Sequence, residues 1–202
     1  MANEENIKST SEKASLPRGC VILENGDILY TGTGEIDTTA KEPRTVILPG
    51  SYDPVTLGHV DIIRRASERY KEVYVVAFVN PDKQYTFSVD EREKMLFLAT
   101  DEFENVLVSY STRLVIDYMH DHGIDLIIKG YRNSADLEYE LRQAEWNKKM
   151  GGYNTLFLRS DDKLANVSST AVRKNLSTST PTNDLLPKPV EDYIKYIKSN
   201  NC

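Results

Sequence analysis

Apolar and polar positions change period along this chain. From Arg44 onward, short continuous apolar runs alternate with stretches whose apolar residues recur every three or four positions. The short runs at 45–48, 73–79, 106–110, 125–129 and 155–159 predict strands. Between them, helices are predicted over 56–70, 90–100, 113–122 and about 135–150. A short helix follows Ser168-Ser169, and Leu186-Pro187 opens a last one that ends near Lys198. The punctuation agrees: Ser88-Val89-Asp90-Glu91 reads as a capping box, Gly123 as a C-cap, and Gly151-Gly152 as the end of the long helix. Strand–helix alternation predicts an α/β fold, a parallel five-stranded sheet with right-handed crossovers and helices on both faces.

Residues 1–43 break this pattern and form an extension ahead of the domain spanning 44–202. Met1 to Arg18 is rich in Lys, Glu, Ser and Asn and reads as disordered. Asn25-Gly26 then separates two apolar runs, which predicts a hairpin, and residues 31–43 read as a linker. Such a hairpin could lie on the main domain or be an unrelated addition; the pattern leaves both open.

Composition narrows the class. A chain of 202 residues accommodates one full core. Its net charge of −6 argues against a general nucleic-acid or membrane-surface binder. The two cysteines, Cys20 and Cys202, lack metal-ligand spacing and fit a reducing cytoplasm. No apolar leader or membrane-length run is read in the sequence.

The polar residues of interest fall just past predicted strand ends, where parallel sheets bind ligands. After the first comes Gly50-Ser51-Tyr52-Asp53-Pro54-Val55-Thr56-Leu57-Gly58-His59, a turn running into a helix N-terminus. Unpaired amides and the helix dipole make that a phosphate cradle, with His59 acting as a neutral donor or gaining a proton when an anion binds. Lys83 follows the second strand and Lys129-Gly130-Tyr131-Arg132 the fourth, both suited to anion contact. On the long helix, Glu140 and Asn147 are seven apart and share a face, whereas Glu138 reads as a surface partner for Arg142. Ser168, Ser169 and Thr170 open a second helix toward the same cleft, and His120 and His122 read as surface residues. With no metal-ligand cluster, no Ser-His-Asp order and no credible nucleophile, the pattern favours direct displacement between two bound substrates.

These motifs resemble the phosphopantetheine adenylyltransferases, of the nucleotidyltransferase superfamily that carries a Thr/His-x-Gly-His signature. The resemblance runs from about Arg44 to Lys198 and rests on Thr56-Leu57-Gly58-His59, Asn80-Pro81-Asp82-Lys83, Lys129-Gly130-Tyr131-Arg132, Asp136-Leu137-Glu138-Tyr139-Glu140 with Asn147, and Ser168-Ser169-Thr170-Ala171-Val172-Arg173. It implies a Rossmann-like fold and transfer of the adenylyl group of ATP to 4′-phosphopantetheine, with Mg²⁺ as cofactor and a homo-oligomer, a hexamer, as the assembly. It implies that Ser51 bonds both substrates' phosphates and that His59 stabilises the transferring phosphate. Lys83 would bind the pantetheine phosphate, and Lys129 would face it. Tyr52, Gly130, Tyr131, Arg132 and Glu140 would surround ATP, together with the segment Leu164, Ala165, Asn166, Val167, Ser168, Ser169 and Thr170. Val115 and Asn147 would touch the pantetheine arm.

Several positions depart from the family's usual pattern. Ser51 stands for Thr, Tyr52 and Leu137 for Phe, and Trp146 for Met. Lys129 stands for Arg, keeping the charge but losing the bidentate fork. Two other readings compete: an adenylyltransferase for another phosphate acceptor, such as nicotinamide mononucleotide, and a non-catalytic nucleotide-binding subunit on the same fold.

Overall fold

The apolar runs assemble into one sheet in a computed structural model that describes residues 16–39, 41–182 and 184–200. The strands are β1 (Cys20–Ile22), β2 (Ile28–Tyr30), β3 (Thr45–Gly50), β4 (Glu72–Phe78), β5 (Val106–Ser111), β6 (Leu126–Tyr131) and β7 (Asn154–Arg159). The helices are α1 (Leu57–Ser67), α2 (Val89–Thr100), α3 (Val115–His122), α4 (Ser134–Gly151), α5 (Ser169–Ser177) and α6 (Lys188–Asn200).

Spatial order is β1-β2-β7-β6-β3-β4-β5, with β3 to β7 parallel. The expected five strands are thus corrected to seven. The hairpin adds β1 and β2 antiparallel to the β7 edge, pairing Ile28 with Phe157 and Tyr30 with Thr155. Its loop closes at Gly26, whose φ of +83° suits glycine, while the Asn25 side chain bonds the backbone and carboxylate of Asp27. The disorder expected over the first residues falls largely outside the described ones.

Alternation along each strand feeds two cores. Val46, Leu48, Val75, Ile128 and Leu158 meet α1, α2, α5 and α6 on one face. Ile47, Val76 and Ile127 meet α3 on the other, and Phe157 packs there with Ala144 of α4 and with Cys20, Ile28 and Tyr30 of the hairpin. Both faces being covered explains why the strands lack a polar side.

Helix ends follow local chemistry. Ser88 and Glu91 form the capping box of α2, with Glu91 N–H donating to Ser88 Oγ at 3.2 Å and Ser88 N–H to Glu91 Oε2 at 2.7 Å. Gly123 and Gly152 end α3 and α4 in left-handed conformations, at φ +62° and +76°. The sheet order reverses at β3, which opens a crevice beyond the carboxyl ends of β3 and β6.

Candidate active site

That crevice is a cleft of about 570 Å³. Residues past every predicted strand end line it: Ser51 and His59 past β3, Lys83 past β4, Val115 past β5, Lys129 and Arg132 at β6, and Ser160 past β7. Ser168, Ser169 and Thr170 at the start of α5 close one wall.

The turn after β3 is held from several sides. Tyr52 adopts φ +49°, and its buried hydroxyl donates to the Leu48 carbonyl at 2.8 Å. A Cβ on Gly50 would lie 2.9 Å from the Tyr52 ring, so only glycine fits before this turn. The Tyr52 ring meets His59 edge-on, with centroids 5.1 Å apart. Burial and the nearby Glu140 charge raise the Tyr52 phenol, so it stays protonated.

His59 occupies the third position of α1 and doubles as a cap. The Thr56 N–H donates to its Nδ1 at 3.0 Å, with Thr56 Oγ1 also 3.0 Å away. Because Nδ1 accepts, a neutral ring carries its proton on Nε2. His59 keeps part of its surface open to the cleft while protein encloses the rest. That desolvation, with the charges of Arg132 and Lys129, pushes its pKa down to about 4. Of the two protonation states left open by the sequence, the free protein therefore holds the neutral donor.

The cations are arranged differently from expectation. Arg132 does not offer a vacant fork: its Nε and Nη2 donate to Asp136 at 2.7 and 3.2 Å. Lys129 pairs with Glu140 at 3.2 Å, in a geometry too oblique for a hydrogen bond. Lys83 sits on the exposed loop after β4, where its own N–H donates to the Asn80 carbonyl at 3.1 Å. Asp136 and Glu140 are the carboxylates lining the cleft, and each faces a cation. Among the described residues no three side chains gather as a metal cage.

Most sequence-predicted residues converge here: Ser51, Tyr52, His59, Lys83, Val115, Lys129, Gly130, Arg132, Glu140 and Val167 to Thr170 all line the cleft. Tyr131 does not, because its ring packs toward Leu137, Leu141 and the hairpin cluster. Leu164, Ala165 and Asn166 belong to the β7–α5 loop, at and just after the 3₁₀ turn Asp162–Leu164, and are not among the lining residues. Asn147 is buried beneath α4, outside the cleft lining. Glu138 and Arg142 form the expected exposed pair at 3.7 Å, and His120 and His122 are exposed.

Three supporting residues, two of them inside the quoted motifs, receive no role from the motif reading. Arg92, 1% exposed, donates from Nη1 to the Ser51 carbonyl at 2.6 Å and stacks 4.0 Å over the Tyr85 ring. Asp53 is buried and accepts from the Thr86 and Phe87 amides, both at 2.9 Å, which ties the Lys83 loop to the Ser51 turn. Arg173 donates to the Asp53 carbonyl at 2.6 Å, fastening α5 to that turn. Arg92 had a signal: it shares a helical stripe with Met95, Leu96 and Ala99, where a cation must find buried partners.

Comparison with known proteins agrees with this geometry. The family profile described as cytidylyltransferase-like matches residues 47–175. A phosphopantetheine adenylyltransferase of Corynebacterium diphtheriae is 43% identical over 148 residues, 73% of this chain and 93% of that protein. Its counterpart from Thermobifida fusca is 40% identical over 152 residues, 75% of this chain and 93% of its own. That of Corynebacterium efficiens is 41% identical over 150 residues, covering 74% and 94%.

Proposed function

Since the chain belongs to the cytidylyltransferase-like nucleotidyltransferases, among their phosphopantetheine adenylyltransferases, we propose how its cleft transfers the adenylyl group of ATP to 4′-phosphopantetheine. An oxygen of the acceptor phosphate attacks the α-phosphorus of ATP. The bond from that phosphorus to the β-phosphate's bridging oxygen breaks, giving dephospho-coenzyme A and pyrophosphate.

The observation that carries this reading is a neutral imidazole donor set between paired cations at a helix N-terminus. His59 Nε2–H donates to a non-bridging oxygen of the transferring phosphate, where negative charge gathers. A donor fixed in advance costs no reorganisation during the step. The amides of the Ser51 turn and of the first turn of α1 add fixed dipoles. Lys83 and Lys129 draw the acceptor phosphate toward the attack line, and Ser51 bridges both substrates. On binding, the ATP phosphates compete with Asp136 for the Arg132 guanidinium. Ser168 to Thr170 present a second helix N-terminus to the same nucleotide. Val115 receives the pantetheine arm.

Three parts of the reading rest on resemblance: ATP arriving as its magnesium complex, a homo-oligomeric (hexameric) working state, and a cytoplasmic setting. No described helix is long and apolar enough to cross a membrane.

The test is pyrophosphate release from ATP, Mg²⁺ and 4′-phosphopantetheine by the wild type and by His59→Ala. The expected result is turnover by the wild type and its near-loss in the variant. Comparable rates would remove His59 from the mechanism. Turnover with nicotinamide mononucleotide instead would replace the acceptor, and ATP binding without pyrophosphate release would make the chain a nucleotide-binding subunit.

A further inference from the structure

A run of charged contacts joins the N-terminal hairpin to the cleft, and the reaction uses none of it. Asp27 lies in the hairpin loop just before β2, with its side chain only 6% exposed. Its Oδ2 accepts from Arg69 at 2.7 Å and its Oδ1 from Arg65 of α1 at 3.3 Å. Arg65 turns its other terminal nitrogen to the carbonyl of Arg159, the last residue of β7, at 2.6 Å. From there the chain enters the β7–α5 loop, which sends Ser160 and Val167 into the cleft. The loop's far end returns to the first turn of α1: the Val167 carbonyl is 3.7 Å from where a Cβ on Gly58 would sit.

Arg65 faces two acids, Asp27 at 3.3 Å and Asp61 at 3.7 Å, and hydrogen-bonds only the first. Its side chain is 20% exposed, so water solvates it only in part. Asp61, one turn back on α1, lies 3.7 Å away with a buried Oδ2 that makes no hydrogen bond, and its other oxygen binds Arg64. Asp27 is thus the acid that orients Arg65 from outside the helix, and an oriented Arg65 pins the loop at Arg159.

We infer that the hairpin braces the nucleotide side of the cleft: Asp27, acting through Arg65, is a positioning residue for the β7–α5 loop. This rests on the reading of that side as the ATP site. The extension thereby tunes ATP affinity and leaves the acceptor side, built on Lys83 and Lys129, untouched.

The test uses the full chain and titrates Mg·ATP and 4′-phosphopantetheine separately by calorimetry. Asp27→Asn and Arg65→Gln each weaken ATP binding by about five- to tenfold and change acceptor binding by less than about twofold. The double variant is no weaker than either single one, because both break one connection. Amide exchange over residues 160–167, read without ligand, is faster in Asp27→Asn. In the wild type, which needs no substitution to fold, saturating ATP slows exchange in β2, since coupling between sites is reciprocal.

Unchanged ATP affinity in both single variants, equal losses for both substrates, additive losses in the double variant, or wild-type hairpin exchange indifferent to ATP would each overturn the brace. Failure of the reaction assay has a separate signature. A wild type that binds ATP but releases no pyrophosphate refutes the transfer, and the brace is still judged by ATP affinity and loop exchange.

Discussion

Replacing His59 by Gln separates the histidine's charge from its capping role. Gln at this helix position still accepts the Thr56 N–H, as capping boxes do, so α1 keeps its start. What disappears is a group whose folded pKa sits near 4 against an ordinary 6.5. The depressed value means that, as pH falls, the unfolded chain takes up this proton first. Stability is full above the ordinary value and is lost as pH drops toward the folded one. Integrated between about pH 7 and about pH 5, these two values give a loss of about 2 kcal/mol in the wild type that the variant does not show. Urea unfolding of both proteins across that range reads the difference directly, because the carboxylates they share cancel. With three imidazoles in the chain, NMR titration can follow the His59 resonance alone. Equal pH slopes for the two proteins, or a His59 midpoint near its ordinary value, would refute the claim that a neutral imidazole faces the phosphates.

Three further outcomes follow from the same geometry. At Gly58 a Cβ meets only ordinary contacts, the nearest at 3.7 Å, so Gly58→Ala should raise stability by about 0.4–1 kcal/mol in thermal unfolding. Turnover should nonetheless fall by about tenfold or more, because the methyl intrudes where phosphate meets the α1 amides; unchanged turnover would refute that. Lys129→Arg supplies a bidentate fork and should lower the KM for 4′-phosphopantetheine by about three- to tenfold, with less effect on ATP, in steady-state kinetics. Arg92→Ala strips the Ser51 carbonyl of its donor and empties the space over Tyr85; a loss of about 2–3 kcal/mol in urea unfolding, with reduced kcat, is expected.

The pattern of apolar runs reveals the parallel strands and most helix ends, because buried strands and capped helices carry their own local chemistry. Ser88 with Glu91, Gly123 and Gly152 each stop or start a helix through contacts within a few residues. The hairpin turn is legible at Asn25-Gly26, but its docking on β7 is not, since pairing Ile28 with Phe157 spans more than half the chain. At the site, strand-end position correctly places His59 and Lys129 in the cleft. Tyr131, at the same strand end as Lys129, packs instead against the hairpin cluster, and Asn147, read from helix spacing, is buried on α4 outside the cleft lining. The pairing of Arg132 with Asp136 has the four-residue spacing of a helix pair, but Arg132 precedes α4, so the contact depends on how the chain enters that helix. Asp53 and Arg173 act on segments distant in sequence, and only the folded chain shows what they hold.

The hairpin also decides which rim of the sheet faces the outside world. Without it, β7 would end the sheet with a six-residue row of unpaired amides and carbonyls, a template on which another chain could extend. With it, Thr155, Leu156 and Phe157 pair with β2, and the outermost strand is β1, three residues long, beside the bonded turn at Gly26. The opposite rim, β5, keeps six residues and displays Leu107 and Tyr110. Among the described residues the sheet is therefore lopsided in its exposure to strand-to-strand adhesion, shielded at its hairpin end and open at β5.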